Sequence, residues 1–135
     1  MSSGGYALGI DFGTSSTVAV LRWPNGRVQP LLFDGSPLLP SAVFASTSGP
    51  LIVGRDALHH GRFEPAQLEP HPKRRVDERT VLLGGREVAV VEMFAAVLRR
   101  VAVESARVTG GPVPAVAVTY PAGWAAEQQL RSDIG

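Results

Sequence analysis

The sequence predicts an α/β protein that opens with an antiparallel meander of three strands, and three observations carry that prediction. Apolar residues alternate with small or polar ones over 6–12 and run again over 17–23, as half-buried strands do. Pro24-Asn25-Gly26 follows the second run and marks a turn into a third. Further on, Val90, Phe94, Val97, Leu98 and Val101 recur at three- and four-residue spacing, which is the period of an amphipathic helix.

Residues 1–5 read as a frayed lead-in. Strand 6–12 and strand 17–23 are joined by a tight turn at 13–16, and residues 27–33 form the third strand of the meander. DGSPLLPS, residues 34–41, carries two prolines and reads as a loop. Two short strands, 41–45 and 51–53, flank the turn at Ser48-Gly49-Pro50, and 54–61 has room for one or two helical turns. Three prolines in 62–75 exclude a continuous helix there. Residues 80–83 and 86–88 flank Gly84-Gly85 as a short hairpin. The helix from Val90 keeps Arg99, Arg100, Glu104 and Arg107 largely off its apolar face and stops before Thr109-Gly110-Gly111-Pro112. A strand over 114–120 and a helix from Trp124 complete the order.

At 135 residues the expectation is one domain, and 44% hydrophobic with 19% charged residues excludes a disordered chain. A net charge of +1 offers nothing to attract nucleic acid or an anionic membrane, and the run Lys73-Arg74-Arg75 is too short to change that. No apolar run approaches the length of a transmembrane helix, the first residues lack a signal-peptide pattern, and there is no cysteine. A cytoplasmic location is the expectation. His59, His60 and His71 have no cysteine beside them, and adjacent histidines do not converge on one ion, so they read as solvated or helix-surface side chains. No Gly-x-Ser-x-Gly elbow supports serine hydrolysis.

The chemistry concentrates in GIDFGTSST, residues 9–17. Alternation puts Tyr6, Leu8, Ile10 and Phe12 on a core face, and Gly9, Asp11 and Gly13 on the other. Glycine inside a strand often marks close approach by a ligand or another backbone. A buried Asp11 needs a partner, and a hydrated Mg²⁺ qualifies because that ion keeps its waters and takes one or two carboxylates. The following turn presents backbone N–H groups and the hydroxyls of Thr14, Ser15 and Ser16, a combination suited to phosphate. Spacing alone serves equally well an aspartate that braces a hairpin among ordinary turn residues. The motif is no P-loop, since no Gly-Lys-Ser/Thr follows.

Gly-Ile-Asp-Phe-Gly-Thr-Ser resembles the first phosphate motif of the ATPase superfamily that includes actin, sugar kinases and heat-shock chaperones. LLPSAVFAS at 38–46, Ile52-Val53-Gly54-Arg55-Asp56-Ala57, and AVAVTYPAGW at 115–124 resemble, in order and spacing, stretches of the seventy-kilodalton heat-shock (DnaK-like) chaperone family. The resemblance implies the opening of an actin-like, ribonuclease H-like ATPase lobe that binds ATP or ADP with Mg²⁺. It implies that Asp11 orients hydrated magnesium and attacking water, and that Gly13, Thr14 and Ser15 cradle phosphates with Ser16 beside them. In PKRR the lysine aligns with the family's catalytic lysine, which makes Lys73 a cation near the γ-phosphate. It is the only lysine in a chain with twelve arginines. Pro121 matches a proline implicated in signalling between domains. The polar segment beyond it departs from the family pattern, with Gln129 near the usual arginine and Arg131 two residues on.

The resemblance covers only the N-terminal portion of such a nucleotide-binding domain, residues 1–135. The second phosphate motif, the second lobe and the peptide-binding domain are not in the sequence, so the expectation is a partial site that binds ATP weakly and turns it over negligibly. Unfolded-protein clients and co-chaperones follow at family level only, and open strand edges allow self-association. Two other readings stay open: a non-catalytic interaction or scaffold remnant of the fold, and another superfamily phosphotransferase such as a sugar kinase.

Overall fold

A computed structural model describes residues 5–119. The first four residues, Pro121, Gln129, Arg131 and the helix expected from Trp124 lie outside the described residues. Within them the architecture is mixed α/β. Strands β1 (Ala7–Phe12) and β2 (Ser16–Arg22) form the centre of a five-stranded sheet, with β3 (Val28–Pro30) antiparallel to β2. The last described strand, β10 (Ala115–Thr119), returns parallel to β1, pairing Ala7 with Ala115 and Asp11 with Thr119. The sheet order is β10-β1-β2-β3.

Between these lie smaller pieces. β4 (Leu39–Pro40) pairs with the start of β2, and β5 (Val43–Phe44) sits between β6 (Ile52–Val53) and β7 (Leu68–Glu69). Helix α1 (Gly54–Gly61) follows β6, and β8 (Thr80–Leu83) with β9 (Arg86–Ala89) makes the hairpin around Gly84-Gly85. The 20-residue helix α2 (Val90–Thr109) then packs on one face of the central sheet.

Alternation explains the packing. Leu8, Ile10 and Phe12 of β1 and Ala19 and Leu21 of β2 are buried together with Met93, Phe94, Val97, Leu98 and Val101 of α2. Phe12 meets Phe94 edge to face, with ring centroids 4.7 Å apart. Helix α2 starts without a side-chain cap; the Val90 N–H donates instead to the Arg79 carbonyl at 2.9 Å. It ends on Gly110, whose φ of 87° lets its N–H turn back onto the Ala106 carbonyl.

Three expectations change. The third strand is shorter than 27–33, because Pro30 has no N–H and Asp34-Gly35 folds the chain sharply, with φ of 54° and 79°, so that Phe33 bridges Ser36. The loop expected over 34–41 therefore holds a tight turn and strand β4. Glu104, placed off the apolar face of α2 by spacing, is only 8% exposed, with Arg100 and Arg107 turned onto it.

The Arg107 hydrogen bond holds the Glu104 carboxyl below its ordinary value of 4.5; burial opposes this, and the charges of Arg107 and Arg100 reinforce it. A depressed folded-state pKa contributes stability above the unfolded value and loses it as pH falls through the folded one. Glu104→Gln is thus expected to destabilise by roughly 1 kcal/mol at pH 7, kept small by solvent around the arginines. Denaturant titrations should show that difference constant above about pH 5 and shrinking below the ordinary carboxylate value.

Candidate functional site

The site is built at the end of β1. Asp11 is the last outward-facing residue of that strand, and the chain reverses immediately through Gly13, Thr14 and Ser15 into β2. The Gly13 N–H donates to the Ser16 carbonyl at 3.0 Å and closes the turn. A Cβ on Gly13 would lie 2.5 Å from that same oxygen, so the reversal admits no side chain there.

Four successive carbonyls around the turn are each held by a donor from elsewhere in the chain. Lys73 Nζ donates to Phe12 O at 2.9 Å. Ser41 Oγ donates to Gly13 O at 2.8 Å, and the Ser41 N–H donates to Ser15 O at 3.0 Å. His71 Nδ1 lies 3.3 Å from Thr14 O; because a carbonyl only accepts, that nitrogen carries the proton. Ser41 has one hydroxyl hydrogen and gives it to Gly13 O, so the buried Thr17 hydroxyl, 3.0 Å away, donates to Ser41. Among the described residues no acceptor meets the N–H groups of Thr14 and Ser15. The turn thus has its negative ends occupied and two donors free, the polarity that suits an anion.

Asp11 itself is exposed. The expectation of a buried carboxylate in need of a partner is therefore corrected: α2 covers the opposite face of the sheet, and this face stays open among the described residues. The two glycines flanking Asp11 also separate. Gly13 is demanded by the turn, whereas a Cβ on Gly9 would find only the Val20 carbonyl, 4.0 Å away. Nothing within the described fold requires Gly9 to lack a side chain.

Lys73 reaches the site from a short 3-10 turn, Pro72–Arg75, whose lysine is half-buried beside the buried Pro72. Just before it, the buried Glu69 at the end of β7 accepts from the His71 N–H at 2.8 Å and from Arg75 Nε at 2.7 Å. Hydrogen bonds to Glu69 first and then Glu78 raise the Arg75 guanidinium above its ordinary value.

Over 133 residues the chain is 26% identical to chaperone protein DnaK of Thermotoga neapolitana, covering 96% of this chain and 22% of that protein. The chain is similar to DnaK. The DnaK proteins of Thermotoga maritima and Thermosipho melanesiensis match with the same 26% identity over the same 133 residues. The chain spans 22% of the length of these curated relatives. No family model matches it.

In this DnaK-like chain the fold brings Asp11, Gly13, Thr14, Ser15, Ser16 and Lys73 to one end of β1. Sequence reasoning missed four neighbours that hold them there. Thr17 carried a signal, since alternation turns it inward with Ala19 and Leu21. Ser41 lay inside a stretch already singled out, LLPSAVFAS. Glu69 had no signal, and His71 is corrected from a solvated or helix-surface side chain to a half-buried one on the Thr14 carbonyl. His59 and His60 are exposed on α1, and among the described residues no group of three or more His, Cys, Asp or Glu side chains gathers to hold a metal. No described helix is long and apolar enough to cross a membrane.

Proposed function

We propose that residues 9–17 and Lys73 form the magnesium and phosphate half of a nucleotide site, in the N-terminal portion of an actin-like ATPase domain of a DnaK-like chaperone. The observation that carries this reading is the position of Lys73. The chain's only lysine comes from 61 residues away to donate to Phe12 O, between Asp11 and the turn. A lysine placed at random has no reason to reach the carbonyl that joins the strand of Asp11 to an anion-suited turn.

The residues divide the work by chemistry. A single exposed carboxylate with no protein cage fits Mg²⁺, which retains most of its waters and takes few protein ligands. Bound magnesium would neutralise phosphate charge. Asp11 would accept hydrogen bonds from that ion's waters and orient an attacking water. The N–H groups of Thr14 and Ser15, with the hydroxyls of Thr14, Ser15 and Ser16, would cradle phosphate oxygens. Lys73 would add a compact mobile cation beside the terminal phosphate, exchanging the Phe12 carbonyl for a phosphate oxygen. ATP and ADP are the ligands this reading names, with clients and co-chaperones following only at the level of DnaK-like chaperones.

The openness of the Asp11 face sets the expected strength. A phosphate site walled on one side loses preorganisation, so residues 1–135 should bind Mg-ATP only at about millimolar Kd and show negligible turnover. Amide NMR titration with Mg-ATP is expected to shift Gly13, Thr14, Ser15 and Ser16, and Asp11→Ala should remove the magnesium dependence. No shift at these amides up to about 10 mM ligand, roughly ten times that Kd, sinks the reading. The exposed face favours one other reading, a non-catalytic interaction module pairing through the outer strands β3 and β10, for which the amides and the melting temperature ignore Mg-ATP.

A further inference from the structure

We propose that Glu69 is the positioning residue for Lys73, its carboxylate tying together the two ends of the segment that carries the lysine. This rests on the reading of Lys73 as a site cation for its functional meaning, though not for its geometry. Glu69 closes β7 and is 5% exposed. One carboxylate oxygen accepts the His71 N–H at 2.8 Å and the other accepts Arg75 Nε at 2.7 Å. These donors bracket Pro72, Lys73 and Arg74, so both ends of the turn are fixed to one rigid group. The Arg74 N–H closes the turn onto His71 O at 3.0 Å.

The clamp also links to the phosphate turn through backbone. Glu69 pairs with Val43 of β5, two residues after Ser41, which holds the Gly13 and Ser15 carbonyls. The lysine and the turn it serves are therefore carried on one small sheet. A lysine has a flexible four-carbon stem, and the single hydrogen bond to Phe12 O is a weak constraint by itself. Where its ammonium rests depends on where its backbone is held. Glutamine at 69 keeps the shape and loses the clamp: its carbonyl accepts from one donor, while its amide hydrogens face the other.

Because Lys73 is the only lysine, acylation by an amine reagent followed by peptide mass spectrometry reads this side chain separately from the N-terminal amine. Glu69→Gln is expected to raise the Lys73 acylation rate roughly tenfold at fixed pH as a charge-assisted bond is lost. Arg75→Ala, at a side chain 43% exposed and safer for folding, should move it the same way. Glu104→Gln, in the C-terminal half of α2 and bonded to neither Glu69 nor Lys73, should leave the rate within about twofold, separating release of the lysine from general loosening. Wild-type rates in both Glu69→Gln and Arg75→Ala, or an equal rise in Glu104→Gln, overturn the clamp. The Mg-ATP titration fails or succeeds separately: released Lys73 without nucleotide shifts leaves the clamp standing and removes the ATP reading, and the reverse outcome does the opposite.

Discussion

Phe94→Ala is expected to destabilise the protein by about 3–5 kcal/mol, a large fraction of the roughly 5–15 kcal/mol that holds a domain folded. Phe94 is fully buried in the second turn of α2, and its ring meets Phe12 edge to face. Deleting it removes the apolar burial of a whole ring and leaves a cavity that the sheet and helix, both continuous elements, have little freedom to fill. The damage should reach the site. Phe12 is the last residue of β1, its carbonyl accepts Lys73, and the next residue begins the turn. Chemical denaturation checks the size of the effect, with Leu82→Ala as reference, since Leu82 is 68% exposed and should change stability by less than about 0.5 kcal/mol. A Phe94→Ala loss below about 1 kcal/mol would mean that α2 does not pack as described.

The same pair of phenylalanines shows why much of the fold was legible. Phe12 ends a run with a two-residue period and Phe94 sits in one with a helical period, and each period names its buried face without knowledge of the partner. The meander, the Gly84-Gly85 hairpin and α2 follow from such signals. β4 and β7 did not, because each is only two residues long and either contains or adjoins a proline, Pro40 or Pro70, that reads as loop. The site divides in the same way. GIDFGTSST was legible because its residues are contiguous. The groups that hold it come from 28, 57 and 61 residues away, at Ser41, His71 and Lys73, and only folding brings them in. Lys73 was found through resemblance, whereas Glu69 and His71 had neither motif nor period to mark them. Asp11 was assigned the correct face and the wrong burial. Alternation gives direction, but exposure depends on what covers the sheet, and here the helix lies on the other side.

Gly13→Ala and Gly9→Ala should separate the demands of the fold from those of a ligand. At Gly13 a methyl group would stand 2.5 Å from the Ser16 carbonyl, a backbone atom that cannot swing aside as a side-chain tip does. The turn must open, which weakens the Gly13–Ser16 closure and moves the Gly13 carbonyl off Ser41, leaving the buried Ser41–Thr17 hydroxyl pair with a donor unplaced. The expected loss is about 1–3 kcal/mol, together with the Mg-ATP response. At Gly9 a methyl group meets nothing nearer than 4.0 Å, and the strand backbone there suits any residue. Alanine should leave stability unchanged or raise it by about 0.5–1 kcal/mol, because the unfolded chain loses freedom. If Asp11 works beneath a ligand that lies against this face, that harmless methyl group should still weaken the amide shifts produced by Mg-ATP. A Gly9→Ala protein that is as stable as the parent and titrates identically would show that the clearance beside Asp11 serves no bound nucleotide.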